Sequence, residues 1–256
     1  MKKIIQLILL IFPFVINAQI NVHAEDSEIV VENYDRISRL VKFDSIDTLA
    51  SLIEYPLVRP NPLPNINNAK QFISYYDTLF DDTFKKKIIN MSAKDIFQHE
   101  GDYAVLNGDI WINDYGEILS INYISAAEQK LSEKLSNEVK NKMYHTVKSW
   151  ESNILVYKSD KFLIRLDITK DSGIRYVSWD KGKQISDKPD LILYNGVEEF
   201  HGTQGGVSYS FKKGNWMYVV DEVDMCPDDN EEECGLFLNI FSNDKMIESI
   251  RCVATK

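Results

Sequence analysis

Apolar residues recur with helical spacing in the first part of the chain. Residues 31–54 predict two helices that are separated at Asp44. Residues 69–80 carry apolar side chains at positions i, i+3, i+4, i+7 and i+8, which predicts a third helix capped by Asn67 or Asn68. A fourth, shorter helix is expected over the segment TFKKKIIN.

The pattern then changes to β-strands. Asn107-Gly108 lies between two apolar runs and predicts a hairpin turn, because both residues tolerate a positive φ. A second turn and a third strand follow before residue 124. Residues 126–150 contain neither glycine nor proline and repeat an apolar residue every fourth position, which predicts one long helix. The first half is therefore expected to combine helices with a three-stranded antiparallel meander.

From residue 152 onward the pattern predicts strands only. Turn residues separate the strands, and Asn195-Gly196 is one of these predicted turns. We therefore predict an α+β fold, with an α+β domain over residues 28–150 and an all-β antiparallel sandwich or barrel over residues 151–256. The nine expected strands are ILVYK, FLIRLDI, IRYVSW, LILYNG, VEEFHG, VSYSFKK, WMYVVDEV, GLFLNIF and MIESIRCVA.

The first 18 residues have the pattern of a cleavable secretory signal peptide. Lys2 and Lys3 precede an apolar run that ends at the small residue Ala18. Residues 19–27 are polar and are expected to form a disordered N-terminus. We therefore expect the mature chain to be periplasmic or secreted. The apolar run is too short to span a bilayer, and stable membrane insertion is not expected.

Acidic residues outnumber basic residues, with 39 Asp and Glu against 29 Lys and Arg, and the formal charge is −10. Cleavage after residue 18 would remove two lysines and make the charge more negative. Nucleic-acid binding needs a positive face, so no nucleic-acid partner is expected. An acidic surface suits a basic protein partner.

The three cysteines all lie in the last part of the chain. Cys226 and Cys234 flank the polar run of CPDDNEEEC, and in an oxidising compartment they are expected to form a disulfide across the base of a hairpin loop. Cys252 lies in the last expected strand and is interpreted as a buried thiol. Pairing of Cys252 with either of the other two cysteines stays open at this point.

No spacing of side chains marks a catalytic or metal centre. His23, His99, His145 and His201 lack the spacing of metal ligands, and the chain has no G-x-S-x-G motif. The acidic loop over residues 224–233 lacks the spacing of an EF-hand, so a solvated hairpin tip is favoured over a calcium site. We expect no catalytic residue, no metal and no cofactor. An enzyme would need His99 or His145 close to carboxylates.

One short motif is more specific. Ser172-Gly173 and Tyr176 form the pattern S-G-x-x-Y, and Lys181-Gly182 follows it. The motif resembles the signature of the periplasmic inhibitors of c-type lysozyme, which are small antiparallel β-barrels. The resemblance implies that Ser172, Tyr176 and Lys181 contact a lysozyme and that the serine-bearing loop enters its catalytic cleft.

Two broader resemblances carry less information. In its order of elements, the first half is loosely similar to cystatin-like or nuclear-transport-factor-like α+β domains. The whole chain also resembles exported bacterial proteins of unknown function, through segments such as IRYVSW and DKPDLILYNG. Neither resemblance brings an activity with it.

The leading hypothesis is an exported, non-catalytic binding protein of the bacterial envelope that inhibits a cell-wall hydrolase. The alternative is a small-ligand or glycan-binding protein with a pocket in the α+β domain. That pocket would be lined by Phe72, Tyr76, Trp111 and Tyr123. A further group of aromatic residues is interpreted mainly as core of the second domain: Tyr176, Trp179, Tyr209, Trp216 and Tyr218.

Overall fold

The computed structural model divides the chain into two compact units. The first unit comprises residues 1–54 and 85–121, and the second comprises residues 55–84 and 122–256. This grouping differs from a single division at residue 150, because two earlier segments group with the strands that follow. Among the described residues, no helix combines the length and apolar character needed to cross a membrane. The residues that the structure describes are 24–91, 96–99, 101–202, 205–224 and 234–255.

The first unit begins with two helices, α1 (Ala24–Lys42) and α2 (Ile46–Ala50). Helix α1 starts inside the segment expected to be a disordered N-terminus. The predicted break between the helices is confirmed at Asp44, whose φ is 47°. One face of α1 is buried at the spacing expected for an amphipathic helix. The buried residues are Val30, Tyr34, Ile37 and Val41.

A four-stranded antiparallel sheet completes the described part of the first unit. Its strands follow chain order, so the predicted meander is confirmed and gains one strand at its start. The turn at Asn107-Gly108 is confirmed as well, and both residues have positive φ. The strands are β1 (Phe97–His99), β2 (Asp102–Val105), β3 (Ile110–Ile112) and β4 (Ile118–Ile121).

In the second unit, helix α3 (Ala69–Leu79) begins at Asn68, whose side chain accepts a hydrogen bond from the backbone N–H of Gln71 at 3.0 Å. Helix α4 (Asp82–Asn90) follows it along the chain, and its residues from Lys85 onward belong to the first unit. Helix α5 (Ala126–Lys142) is shorter than the predicted segment 126–150. The prediction was wrong at its end, because Met143 is extended and residues 143–150 are not helical, with a turn at residues 145–147.

The cause of this early end is packing. Tyr144 donates its backbone N–H to the carbonyl of Ile185 at 2.8 Å, and Met143, Val147 and Trp150 form one buried cluster with Val177 and Trp179. The apolar repeat of the sequence is therefore real, but its last members are buried by tertiary contacts and not by continuing the helix.

A buried ion pair joins α5 to the proline-rich segment before α3, residues 55–64. Arg59 donates from Nε to Oε1 of Glu128 at 2.9 Å and from its terminal nitrogen to Oε2 at 2.7 Å, and both side chains are fully buried. Glu128 also closes a capping box with Ser125, the N-cap of α5. Tyr75 donates a further hydrogen bond to Glu128 at 3.3 Å. This network fixes the start of α5.

The rest of the second unit is a closed antiparallel barrel, one of the two architectures that the sequence predicted. Its eight described strands follow chain order, and β12 pairs with β5 to close the ring. This closing seam contains two residue pairs, Val253 with Lys158 and Ala254 with Tyr157. The strands are β5 (Ser152–Lys158), β6 (Phe162–Thr169), β7 (Gly173–Asp180), β8 (Leu191–Phe200), β9 (Val207–Lys213), β10 (Trp216–Val223), β11 (Gly235–Ser242) and β12 (Lys245–Ala254).

Strand β8 corrects one prediction. The residues expected to form a hairpin turn, Asn195-Gly196, lie inside one continuous strand, where Asn195 has a φ of 58°. The first part of β8 pairs with β7, and the part from Val197 onward pairs with β9. The turn-forming residues therefore provide a bend at which the strand passes from one neighbour to the next.

Gly196→Ala is expected to destabilise the barrel by about 1–3 kcal/mol, the usual cost of overpacking a core. A Cβ atom at this position would lie 2.4 Å from Cε1 of Phe211. Urea denaturation of the single variants and of the double variant with Phe211→Leu measures the coupling. The cost of Gly196→Ala should fall in the Phe211→Leu background. Simple additivity of the two changes would contradict the steric explanation.

Cys252 lies inside the barrel as a buried, free thiol, as predicted. Burial raises its pKa to about 11, so the thiol stays protonated at neutral pH. The alternative pairing of Cys252 with another cysteine is therefore wrong. Cys226 lies outside the described residues, and its disulfide with Cys234 stays a prediction.

Candidate functional site

One end of the barrel opens into a cavity of about 330 Å³, which we call the mouth cavity. The hairpins β5–β6, β7–β8, β9–β10 and β11–β12 all turn at this end, because consecutive strands run in opposite directions. Barrel mouths are frequent ligand sites, since side chains from several strands converge there. The lining includes Phe162, Tyr176, Ser178, Trp216, Tyr218 and Glu248.

Strand β7 shows how the sequence builds the wall of the mouth cavity. Side chains alternate along a strand, so Tyr176, Ser178 and Asp180 point into the barrel and line the cavity. The intervening residues Val177 and Trp179 pack in the cluster on the outer face. The segment GIRYVSWD is therefore largely buried on both faces, with Ser178 and Asp180 placed towards the mouth.

Aromatic rings form the apolar part of the mouth cavity. The ring centroids of Tyr176 and Tyr218 are 6.1 Å apart. Tyr176 is buried, and burial raises the pKa of its hydroxyl above the ordinary value, so this group stays neutral. Trp216 is 43% exposed and Ile247 is 54% exposed at the rim. Apolar side chains are therefore exposed at the edge of the mouth cavity.

Two ion pairs and one further carboxylate surround these rings. Lys161 pairs with Glu248, and Lys183 pairs with Asp190. The hydrogen bond with Asp190 raises the pKa of Lys183, and the same contact holds the pKa of Asp190 below its usual value. In the part of the chain that the structure describes, the carboxylate of Asp180 has no hydrogen-bond partner. The rim therefore offers carboxylate oxygens as hydrogen-bond acceptors.

The opposite end of the barrel interior is polar too. Tyr157 donates its hydroxyl to Oε2 of Glu222 at 3.2 Å. Burial raises the pKa of Glu222 above its usual range. Between this pair and the mouth cavity lies the apolar core of the barrel, which includes Leu166, Phe211 and Leu238. The Tyr157–Glu222 pair is therefore separated from the mouth cavity by packed side chains.

The residues of the S-G-x-x-Y motif do not lie on one surface. Ser172 is in the turn before β7, Tyr176 is buried inside the barrel, and Lys181 is exposed beyond the other end of β7. The eight residues of β7 span about 25 Å at roughly 3.3 Å per residue. Ser172 and Lys181 are therefore at opposite ends of the barrel, and of the three only Tyr176 lines the mouth cavity.

The pocket expected in the first half is filled by aromatic rings. Phe72 and Tyr76 are buried, with ring centroids 6.0 Å apart, and Tyr123 stacks on Phe84 at 4.1 Å. Trp111 belongs to the other compact unit. Phe72, Tyr76 and Tyr123 therefore contribute to packing within the second unit.

The histidines are spread over the molecule. His201 approaches Asp221 with Nε2 and Oδ1 at 3.3 Å, and burial raises the pKa of that aspartate. His145 is exposed beside Tyr144 and forms no ion pair with a described carboxylate. The side chain of His99 and most of the acidic loop, residues 225–233, lie outside the described residues. The described part of the chain contains no group of three or more His, Cys, Asp or Glu side chains able to hold a metal ion.

Three aromatic residues of the mouth cavity were named from the sequence, Tyr176, Trp216 and Tyr218, but they were interpreted mainly as core. Ser178 and Asp180 could have been assigned to the cavity, because both share the inward face with Tyr176 in a strict alternation. Phe162 and Glu248 could not, since barrel closure alone brings their strands to the same end. No family model matches the chain, and neither a curated protein nor a solved structure is similar to it.

Proposed function

We propose that this chain is an exported, non-catalytic binding protein that takes a hydroxyl-rich ligand, a glycan, in the mouth of its barrel. The observation that carries the proposal is the mouth cavity, where flat aromatic faces lie beside carboxylate acceptors. Export is supported by the signal-like residues 1–18. The same compartment would allow the proposed disulfide between Cys226 and Cys234.

The chemistry of the rim favours a sugar ring. Such a ring has apolar C–H faces, which pack on aromatic side chains, and equatorial hydroxyls, which donate to carboxylates. Trp216 also lines a neighbouring surface pocket of about 230 Å³, together with Asn215 and Asp244. An exposed ring between two depressions suits a ligand of more than one sugar unit.

The geometry gives less support to the hydrolase-inhibitor hypothesis. A plug for one enzyme cleft needs its contact residues on one protruding surface. Ser172 and Lys181 are separated by the length of β7, and Tyr176 is buried. We therefore place glycan binding first. Binding of the protein to lysozyme, weakened by Ser172→Ala, would favour the inhibitor hypothesis instead.

Trp216→Ala is expected to weaken glycan binding at least about fivefold, because an aromatic contact of this kind contributes about 1 kcal/mol beyond its buried area. Isothermal titration calorimetry of the mature chain against chitotetraose, cellotetraose and soluble peptidoglycan fragments measures this loss. Asp180→Asn should weaken the same ligand by removing an acceptor charge.

Phe200→Ala is the matched control, because Phe200 is 73% exposed at the other end of the barrel. This variant should bind the glycan as the unmodified chain does. The proposal fails if none of the three glycans binds at millimolar concentration. It also fails if a glycan binds and both mouth variants retain full affinity.

A further inference from the structure

We propose that a second site, on the outer surface of the barrel, binds a small carboxylate with an apolar tail. The site is a groove of about 270 Å³ between α5, the proline-rich segment and the barrel wall. All its lining residues belong to the second compact unit. We call it the outer groove, and its main residues are Pro62, Leu135, Val139, Lys142, Val156 and Arg165.

Hydrocarbon side chains form the greater part of the outer groove. Leu135 and Val139 belong to the apolar repeat of α5 but are only partly buried. They face the groove together with Pro62, Val156 and Ile185. An apolar stripe that its own fold leaves partly exposed gains free energy when a ligand covers it.

The charge of the outer groove comes from a buried cluster with more cations than anions. Arg165 is 4% exposed, Arg175 is 3% exposed, and the two guanidinium groups share the fully buried carboxylate of Asp167. The nitrogen–oxygen distances are 2.7 Å to Arg165 and 2.9 Å to Arg175. Within this cluster one positive charge therefore lacks a counter-charge, and a buried charge is costly unless it is paired.

Arg165 is the cation that remains available. Arg175 donates to the carbonyls of Val147 and Ser149. Nε has no hydrogen-bond partner among the described residues in either arginine, but only Arg165 lines the groove, and its guanidinium lies 4.6 Å from the ring centroid of Trp150. Burial lowers the pKa of Arg165, consistent with a charge that its surroundings only partly compensate.

Three other polar side chains of the outer groove already form hydrogen bonds within the protein. The side-chain amides of Asn61 and Asn153 and the hydroxyl of Thr255 donate to backbone carbonyls. Lys142 adds a second cation at the groove, and Glu138 adds one carboxylate. A planar carboxylate matches a guanidinium better than a neutral group does, because the hydrogen bonds become charge-assisted.

This inference is independent of glycan binding in the mouth cavity, since the two lists of lining residues do not overlap. Calorimetry with octanoate tests it directly, and 1-octanol is the neutral probe of equal chain length. Octanoate should bind saturably and at least tenfold more tightly than 1-octanol. Equal affinity for the two probes would overturn the proposal, because the guanidinium would then play no part.

Charge variants at exposed residues of the groove show whether octanoate binds there, and they leave the buried cluster of Arg165, Asp167 and Arg175 unchanged. Lys142→Gln should weaken octanoate about threefold or more, and Glu138→Gln should strengthen it by a similar factor. Lys134→Gln is the matched control, because Lys134 is exposed on the same helix and does not line the groove. Equal effects of Lys142→Gln and Lys134→Gln would overturn the proposal.

Leu135→Trp fills the groove and should abolish octanoate binding while the far-ultraviolet circular dichroism stays unchanged. Arg165→Gln should reduce the affinity at least tenfold, and a thermal melt shows whether that variant is folded. Binding that Leu135→Trp leaves intact and Trp216→Ala removes would assign octanoate to the mouth cavity and refute the outer groove.

Discussion

Replacing Glu128 by alanine is expected to destabilise the protein by about 3–5 kcal/mol, because the change leaves a buried arginine without its carboxylate. Arg59 and Glu128 are both fully buried and share two hydrogen bonds. The variant also removes the partner of Ser125 in the capping box and the acceptor of the Tyr75 hydroxyl. Each of these losses lowers the free energy of unfolding.

Urea denaturation followed by tryptophan fluorescence measures this effect. Glu133→Ala is the matched control, since Glu133 is exposed on the same helix and its removal should change stability by less than about 0.5 kcal/mol. The double variant Arg59→Met with Glu128→Leu removes both charges and should be less destabilised than either of the single variants Arg59→Met and Glu128→Leu. If the single-variant costs simply add, Arg59 and Glu128 are not coupled and the explanation fails.

Asp167→Asn is expected to cost a similar amount, about 3–5 kcal/mol, since it leaves two buried guanidinium groups with no carboxylate between them. Asp167 is fully buried and contacts Arg165 and Arg175. Asparagine keeps the size of the side chain, so the loss reports charge and not a cavity.

The matched control for this change is Asp160→Asn, at an exposed position before β6. Urea is the suitable denaturant, because guanidinium chloride would screen the charges under study. A loss below about 1 kcal/mol for Asp167→Asn would mean that the two arginines find other counter-charges, against the arrangement described here.

Local patterns predicted the elements that local interactions determine. The break at Asp44, the cap at Asn68 and the turn at Asn107-Gly108 all depend on residues within one turn of each other. The predictions were wrong where contacts between residues distant in the chain determine the local structure. Helix α5 ends early because Tyr144 bonds to Ile185, some forty positions later along the chain.

The bend of β8 shows the same limit. Asn195-Gly196 has the composition of a hairpin turn, and both turn and bend use a backbone with positive φ at the asparagine. The barrel decides between them, because the strand must leave β7 and join β9. No short stretch of the sequence shows whether these residues form a turn or a bend.

For the candidate site, the sequence predicts which side chains of β7 share a face, but it does not predict which strands meet at the mouth cavity. Tyr176, Ser178 and Asp180 share a face in any extended segment. Their meeting with Trp216 and Glu248 requires the ring of strands to close. The buried charges were equally hidden, since Arg165 and Asp167 look like an ordinary polar face until the cluster with Met143, Val147 and Trp150 covers the neighbouring residues.

The short seam between β5 and β12 has a consequence for how the barrel assembles. Every other pair of neighbouring strands is consecutive in the chain, so each can form as a local hairpin. The seam joins Val253 to Lys158, so its formation closes a long chain loop, which costs entropy. In return it gains the pairing of only two residue pairs. We expect it to form last, on hairpins already in place. Until the seam forms, β5 and β12 are two free sheet edges. The same edges on a second molecule compete for pairing with them. Dilute conditions should therefore favour correct refolding over association of two molecules.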